Sequence, residues 1–262
     1  MGAAIFDALR DAIRAHRPAV LVTVVDGPGT GDKLLLVEGE DVAGALADPD
    51  LDRVVRRDAA ASLAAGTTSV RRYGQRGEAN EDAVMVFFES YAPPPRLIIF
   101  GAVDFTAALV RVAKVLGYHV TVCDAREVFA TPARFPLADE IVVDWPHRHL
   151  EKVGTSLGPR DAVCVLTHDV KFDVPAIVAA LRTDVGYLGA MGSRRTTEQR
   201  AERLRAEGVT DADLARLMAP IGLDLGARTP EETAVAICAE IIATRTGATA
   251  PSLRTGAGPI HR

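Results

Sequence analysis

Cysteine is scarce in this chain, and its three cysteines, Cys123, Cys164 and Cys238, lie far apart. That spacing excludes a disulfide framework and a thiolate zinc site. Each sits in an apolar run (120–124, 162–166 and 234–241), the setting of a small buried hydrophobe. Long apolar stretches are absent too, and nothing approaches the roughly 18 residues that a membrane span needs. There is no basic excess: the net charge is −5, which argues against a general nucleic-acid binder. Residues 1–10 are amphipathic, carry Asp7 and lack the basic-then-apolar layout of a secretory leader. A cytoplasmic protein without a membrane span is therefore expected. No Walker loop, CxxC pair or ordered Ser-His-Asp set is present.

What is present fits a folded soluble chain of 262 residues, 48% hydrophobic and 25% charged. Its sharpest boundary is Pro93-Pro94-Pro95, where three backbone donors are missing and no helix or strand can continue. Residues 1–92 read as a small α/β domain. Ile5, Leu9 and Ile13 recur at helical spacing, with Pro18 as the stop. Strands are expected over 19–25, 33–37, 69–73 and 83–88, and Leu51, Val54, Val55, Ala59 and Leu63 form a helical face ending at Gly66. Nothing in this part has catalytic spacing.

Residues 96–247 alternate strands and helices, the pattern of a parallel sheet. Strands are expected over 96–100, 119–123, 140–143, 162–166 and 185–188, and helices over 104–116, 174–181, 197–207 and 230–244. The last helix opens with a capping box in which Thr229 is the N-cap, Pro230 follows and Glu232 reaches back. Residues 248–262 read as a tail rich in Gly, Pro, Ser and Thr. The fold class is thus α/β, a Rossmann-like parallel-sheet domain preceded by a small α/β domain.

A dinucleotide fold carries Gly-x-Gly-x-x-Gly between its first strand and helix. Here that place reads Gly101-Ala102-Val103-Asp104-Phe105-Thr106, so a branched side chain and a carboxylate stand where a pyrophosphate would approach. Asp124, at the end of the second strand, is either a ribose-binding carboxylate or a turn residue bonded to Arg126. Other loops at the same sheet edge look better suited to a ligand, because ligands bind outside the carboxyl ends of parallel strands. The fourth strand runs into Thr167-His168-Asp169. The fifth runs into Gly189-Ala190-Met191-Gly192-Ser193-Arg194-Arg195, followed by a helix capped by Thr196 with Gln199. Glycine and two arginines there suit an oxyanion, the alternative being a solvated basic loop. A turn over 220–228 either closes the pocket or packs. His147 and His149 lack a third ligand nearby, and a surface or pocket-rim role is favoured over a metal.

Read together, these segments resemble the Rossmann domain of the XdhC/CoxI family, the accessory factors of xanthine dehydrogenase and related molybdenum hydroxylases. The resemblance rests on GAVDF from Gly101, VTVCDAR from Val120, FATPARFPLADEIVVDWPHRHL from Phe129, VLTHDVKFDVP from Val165, YLGAMGSRR from Tyr187, and APIGLDLGARTPEETAVAICAEIIA from Ala219. It implies a largely non-catalytic chaperone that binds molybdenum cofactor (molybdopterin), assists its sulfuration and delivers it to a molybdenum hydroxylase client. A homodimer is implied, and a sulfurtransferase is a further partner. The implied cofactor site is Gly101, Asp124, Arg126, Thr167, His168, Asp169, Gly192, Ser193, Arg194 and Arg195, with a pterin phosphate at the arginines. Two departures stand out. Gly101-Ala102-Val103-Asp104 replaces the family's Gly-x-Gly-His, and its Gly-Gly-Cys-Val-Glu segment is missing, with no cysteine before Cys123. The rivals are an NAD(P)-dependent oxidoreductase using Asp124 and a scaffold with a vestigial pocket.

Overall fold

The computed structural model describes residues 2–40, 42–79, 81–167 and 169–255, and the chain divides into two compact units, 1–93 and 94–262. In the first unit, α1 (Gly2–Arg14) precedes β1 (Ala19–Asp26), β2 (Lys33–Val37) and β3 (Ala43–Ala45). Then come α2 (Pro49–Ala65), β4 (Ser69–Tyr73) and β5 (Val84–Tyr91). The strands form one antiparallel sheet in the order β3-β2-β1-β5-β4. Strand side chains alternate between faces. Val20, Val22 and Val24 therefore pack with Leu51, Val55 and Ala59 of α2, while Ala19 and Leu35 pack with Ile5, Leu9 and Ala12 of α1. Ala12 takes the inward place expected of Ile13, which is 44% exposed, and α1 stops at Arg14, short of Pro18.

The second unit runs β6 (Arg96–Phe100), α3 (Asp104–Val115), β7 (His119–Cys123), β8 (Glu140–Val142), α4 (Pro146–Val153) and β9 (Ala162–Val165). It continues with α5 (Val170–Leu181), β10 (Tyr187–Ala190), α6 (Arg194–Ala206), α7 (Asp211–Leu214), β11 (Leu217–Met218) and α8 (Pro230–Thr246). Its six strands are all parallel, ordered β11-β10-β9-β6-β7-β8. The order reverses between β6 and β9, the switch point at which doubly wound sheets open a crevice. Leu97 and Ile99 face α3 and α8, and Ile98 and Phe100 face α4, α5 and α6. Both faces are covered, which is why the strands read as apolar runs.

Three boundaries differ from expectation, each for a local reason. β10 lies at 187–190 because Gly189 can enter the strand, where a Cβ would stand 2.5 Å from Ile221. α5 begins at Val170 because Asp169 caps it, which leaves Pro175 inside the helix. α6 begins at Arg194 with Ser193, not Thr196, as its N-cap. The short elements β3, α4, α7 and β11 carried no usable periodicity.

Candidate functional site

The loop after β6 has almost no amide to offer a ligand. Gly101 N donates to Cys123 O (2.9 Å), Ala102 N to Asp124 Oδ2 (2.8 Å) and Val103 N to Thr106 Oγ1 (3.3 Å). Only the amides of Asp104 and Phe105 remain, beside the exposed Asp104 carboxylate. Gly101 itself turns with φ +110°, and a Cβ on it would meet Thr167 Cγ2 at 2.9 Å. It is a glycine because β6 and β9 end side by side, which brings Gly101 and Thr167 together.

Asp124 is buried and fully occupied. It accepts from Ala102 N, from Arg126 N and Nε (2.9 Å each) and from Arg126 Nη2 (2.8 Å). Burial pushes its carboxyl up, but the Arg126 and amide hydrogen bonds outweigh this and hold it below the usual range. Of the two readings open in the sequence, the turn residue bonded to Arg126 is the one seen. Arg126 stacks over Phe129 at 4.5 Å, and Arg134 donates to Ala102 O (3.0 Å). Ala102 is therefore clamped through both its backbone groups.

The loop between β10 and α6 is the opposite case. Met191 N donates to Val165 O and Thr196 N to Ser193 Oγ, but the amides of Gly192, Ser193, Arg194 and Arg195 have no partner among the described residues. Four consecutive unspent donors at the start of a 13-residue helix form an electropositive nest. The Arg194 and Arg195 side chains are exposed and also without partners there.

Beneath this loop lies a buried network that sequence reasoning missed. Arg200 of α6 pairs with Asp173 of α5 (3.1 Å) and donates to Met191 O (2.7 Å). Thr167 Oγ1 in turn donates to Asp173. The ends of β9 and β10 are thereby tied together through side chains. The available signal was periodic: Arg200 precedes Leu204 by one helical turn and shares its buried stripe. Asp169 caps α5 through Lys171 N (3.1 Å) and pairs with Lys171 Nζ (3.2 Å). His168 lies outside the described residues. The turn over 220–228 packs: Gly222 N donates to Glu240 Oε2 (2.8 Å), and Ile221 N to Ala190 O (3.1 Å).

The histidines and cysteines behave differently from one another. His149 is buried against Phe100, not at the surface as expected, and burial lowers its pKa. His147 lines a separate cavity of about 250 Å³ with Glu151, Val174 and Arg182. All three cysteines are buried, and desolvation pushes Cys123 and Cys238 up to about 12 and Cys164 well above its usual value. Cys123, one residue from the sheet edge, donates to Asp144 O (3.4 Å) rather than facing the crevice. No group of His, Cys, Asp and Glu among the described residues could hold a metal ion. None of the described helices is long and apolar enough to cross a membrane.

Residues 97–241, more than half of the chain, match the family described as the XdhC Rossmann domain. This chain belongs to the XdhC/CoxI family. Residues 12–74 match the other described part of that family, XdhC and CoxI, despite lacking the cysteine segment. Among XdhC/CoxI-like sequences, a Bacillus subtilis protein named as a probable subunit of xanthine dehydrogenase is 32% identical over 61% of this chain and 46% of its own length. The uncharacterized protein YqeB of Escherichia coli is 29% identical over 63% of this chain and 30% of its own. The molybdenum cofactor insertion chaperone PaoD of Escherichia coli is 26% identical over 61% and 43%. The chain thus spans less than half the length of each of these relatives. A crystal structure described as a xanthine dehydrogenase from Bacillus halodurans shares the fold, with a TM-score of 0.54 at 21% identity over 92% of this chain and 97% of that one.

Proposed function

We propose that this protein is an accessory factor for a xanthine dehydrogenase-type molybdenum hydroxylase, holding molybdenum cofactor and assisting its sulfuration and insertion. The row of unspent amides from Gly192 to Arg195 carries this reading. It offers a phosphate end of the pterin what it needs, and Arg194 and Arg195 add charge-assisted donors. The names of two relatives, one a cofactor insertion chaperone and the other a probable part of xanthine dehydrogenase, support the choice of client. Gly101, Asp124, Arg126, Thr167, His168 and Asp169 are proposed to shape the neighbouring crevice rather than to bond a phosphate. When bound, the cofactor supplies the molybdenum chemistry. The described residues add no accessible thiolate, so this chain's part is to bind, orient and shelter. A homodimer, a cytoplasmic location and a sulfurtransferase partner belong to the same proposal.

An NAD(P)-dependent oxidoreductase is disfavoured by the amides spent at 101–103 and by the occupied Asp124. The test is mass spectrometry of ligands released from protein purified from a molybdenum-replete host, with nicotinamide titrations by calorimetry. A pterin should leave the wild type and be lost from the Arg194→Ala/Arg195→Ala variant. Binding should weaken by several kcal/mol, since each charge-assisted bond contributes about 1.5–3. Micromolar NAD(P) affinity with no released pterin would instead establish the oxidoreductase.

A further inference from the structure

We infer that Arg200 is itself an anion-binding residue, a buried cation that reaches a phosphate oxygen through the gap left by Gly192. The inference rests on the anion-site reading above and adds a donor that neither the sequence pattern nor the family resemblance assigned. The Arg200 side chain is only 3% exposed. One end of its guanidinium is spent: Nη2 donates to Asp173 and to Met191 O. The other end, Nη1, is buried with no hydrogen-bond partner among the described residues. Natural interiors rarely leave such a donor unmet, and a core with no ligand to serve would satisfy it or remove it.

Its surroundings say what it is kept for. A Cβ on Gly192 would stand 3.5 Å from Nη1 and Nη2 and 3.4 Å from Thr196 Cβ, so the space over the guanidinium is kept clear by the absence of a side chain. That space lies on the inner side of the same turn whose four amides are unspent. Thr197 Oγ1, also buried and without a partner among the described residues, is one residue beyond Thr196. Asp173 already balances the charge of Arg200, so what remains at Nη1 is a directional donor rather than a net attraction. A tetrahedral oxyanion with several acceptor oxygens suits such a site, one oxygen on the amides and another on Nη1. Lysine could not fill this role, because a point ammonium cannot hold Asp173, the Met191 carbonyl and a ligand in fixed directions.

The experiment uses the full chain, with inorganic phosphate and pyrophosphate as probes. Binding is followed by calorimetry, and the arginine side-chain nitrogens by NMR of arginine-labelled protein. Arg200→Lys should stay folded by its urea midpoint and bind phosphate roughly tenfold or more weakly. In the wild type, the Arg200 guanidinium signals should shift on phosphate addition. A stronger response to phosphate than to pyrophosphate marks a monoester end; the reverse marks a diphosphate bridge, with Arg200 engaged in either. Undiminished binding to Arg200→Lys, with the wild-type Arg200 signals unmoved, overturns the inference. The anion site then survives if Arg194→Ala/Arg195→Ala still weakens binding. Absence of any phosphate binding to the wild type overturns both. Should Arg200→Lys fail to fold, the wild-type guanidinium shifts decide alone.

Discussion

Gly101 and the three cysteines show how single positions are set by their neighbours. At Gly101 the backbone has φ +110°, and a Cβ would press on Thr167 at 2.9 Å from its methyl and 3.0 Å from its amide. Gly101→Ala should therefore destabilise the protein by roughly 1–3 kcal/mol, read as a lowered urea midpoint. An unchanged midpoint would mean that the two strand ends can part freely. The cysteines carry a pH dependence. Their native thiols titrate near 12 for Cys123 and Cys238, against about 8.5 in an unfolded chain. A folded pKa raised above the unfolded one gives stability that is complete below about 8.5 and lost as pH rises toward 12. Stability should fall between pH 9 and 12, and the fall should vanish when all three are replaced by Ala. Thiol reagents at pH 8 should leave the native protein unlabelled and modify all three residues in denaturant.

Two helix starts in the same unit have been closed to different degrees. At α8, Glu232 Oε2 accepts from Arg228 N (2.7 Å) and Thr229 N (3.1 Å), while Thr229 Oγ1 accepts from Glu232 N (3.2 Å). Little is left there for a ligand. At α6, Ser193 serves Thr196 alone. Removing a cap costs about 1 kcal/mol, so Thr229→Ala and Ser193→Ala should each lower stability by about that much in urea titrations. Only Ser193→Ala should also weaken phosphate binding, because only α6 presents its remaining amides. Equal phosphate affinity in the two variants would sink the distinction. This difference is half legible in the sequence. Thr-Pro-Glu-Glu at 229–232 announces a closed box, whereas Thr196 competes with Ser193 as the expected cap because Gln199 offers it a better-looking partner.

At the scale of the whole molecule, each hydrophobic cluster draws its residues from one unit alone. Val20, Leu34, Val86 and Phe88 belong to the first, and Leu97, Leu109, Val163 and Ile177 to the second. The second unit has a complete parallel sheet with both faces covered. Residues 94–262 expressed separately should therefore fold cooperatively and keep their phosphate affinity within a few fold. The measurements are circular dichroism melting and calorimetry. A fragment that is soluble but lacks a cooperative transition would show that the N-terminal residues are needed to complete its core.

Elements were determined by the sequence where burial is continuous or periodic. The apolar runs at 96–100, 119–123 and 162–165 could only be covered strands, and Pro93-Pro94-Pro95 could only interrupt the chain. The missing glycines after β6 were likewise readable as a weak pyrophosphate site. The tertiary structure decided how the polar groups are spent. Asp124 could have faced a ribose or Arg126, and the choice depended on where Ala102 N and the guanidinium came to lie. Arg200 looked like one more basic residue on a charged helix until α5 placed Asp173 beside it. Periodicity reports which face of an element is buried. Which donors stay unpaired depends on partners brought close by the crossovers, and no local pattern records that.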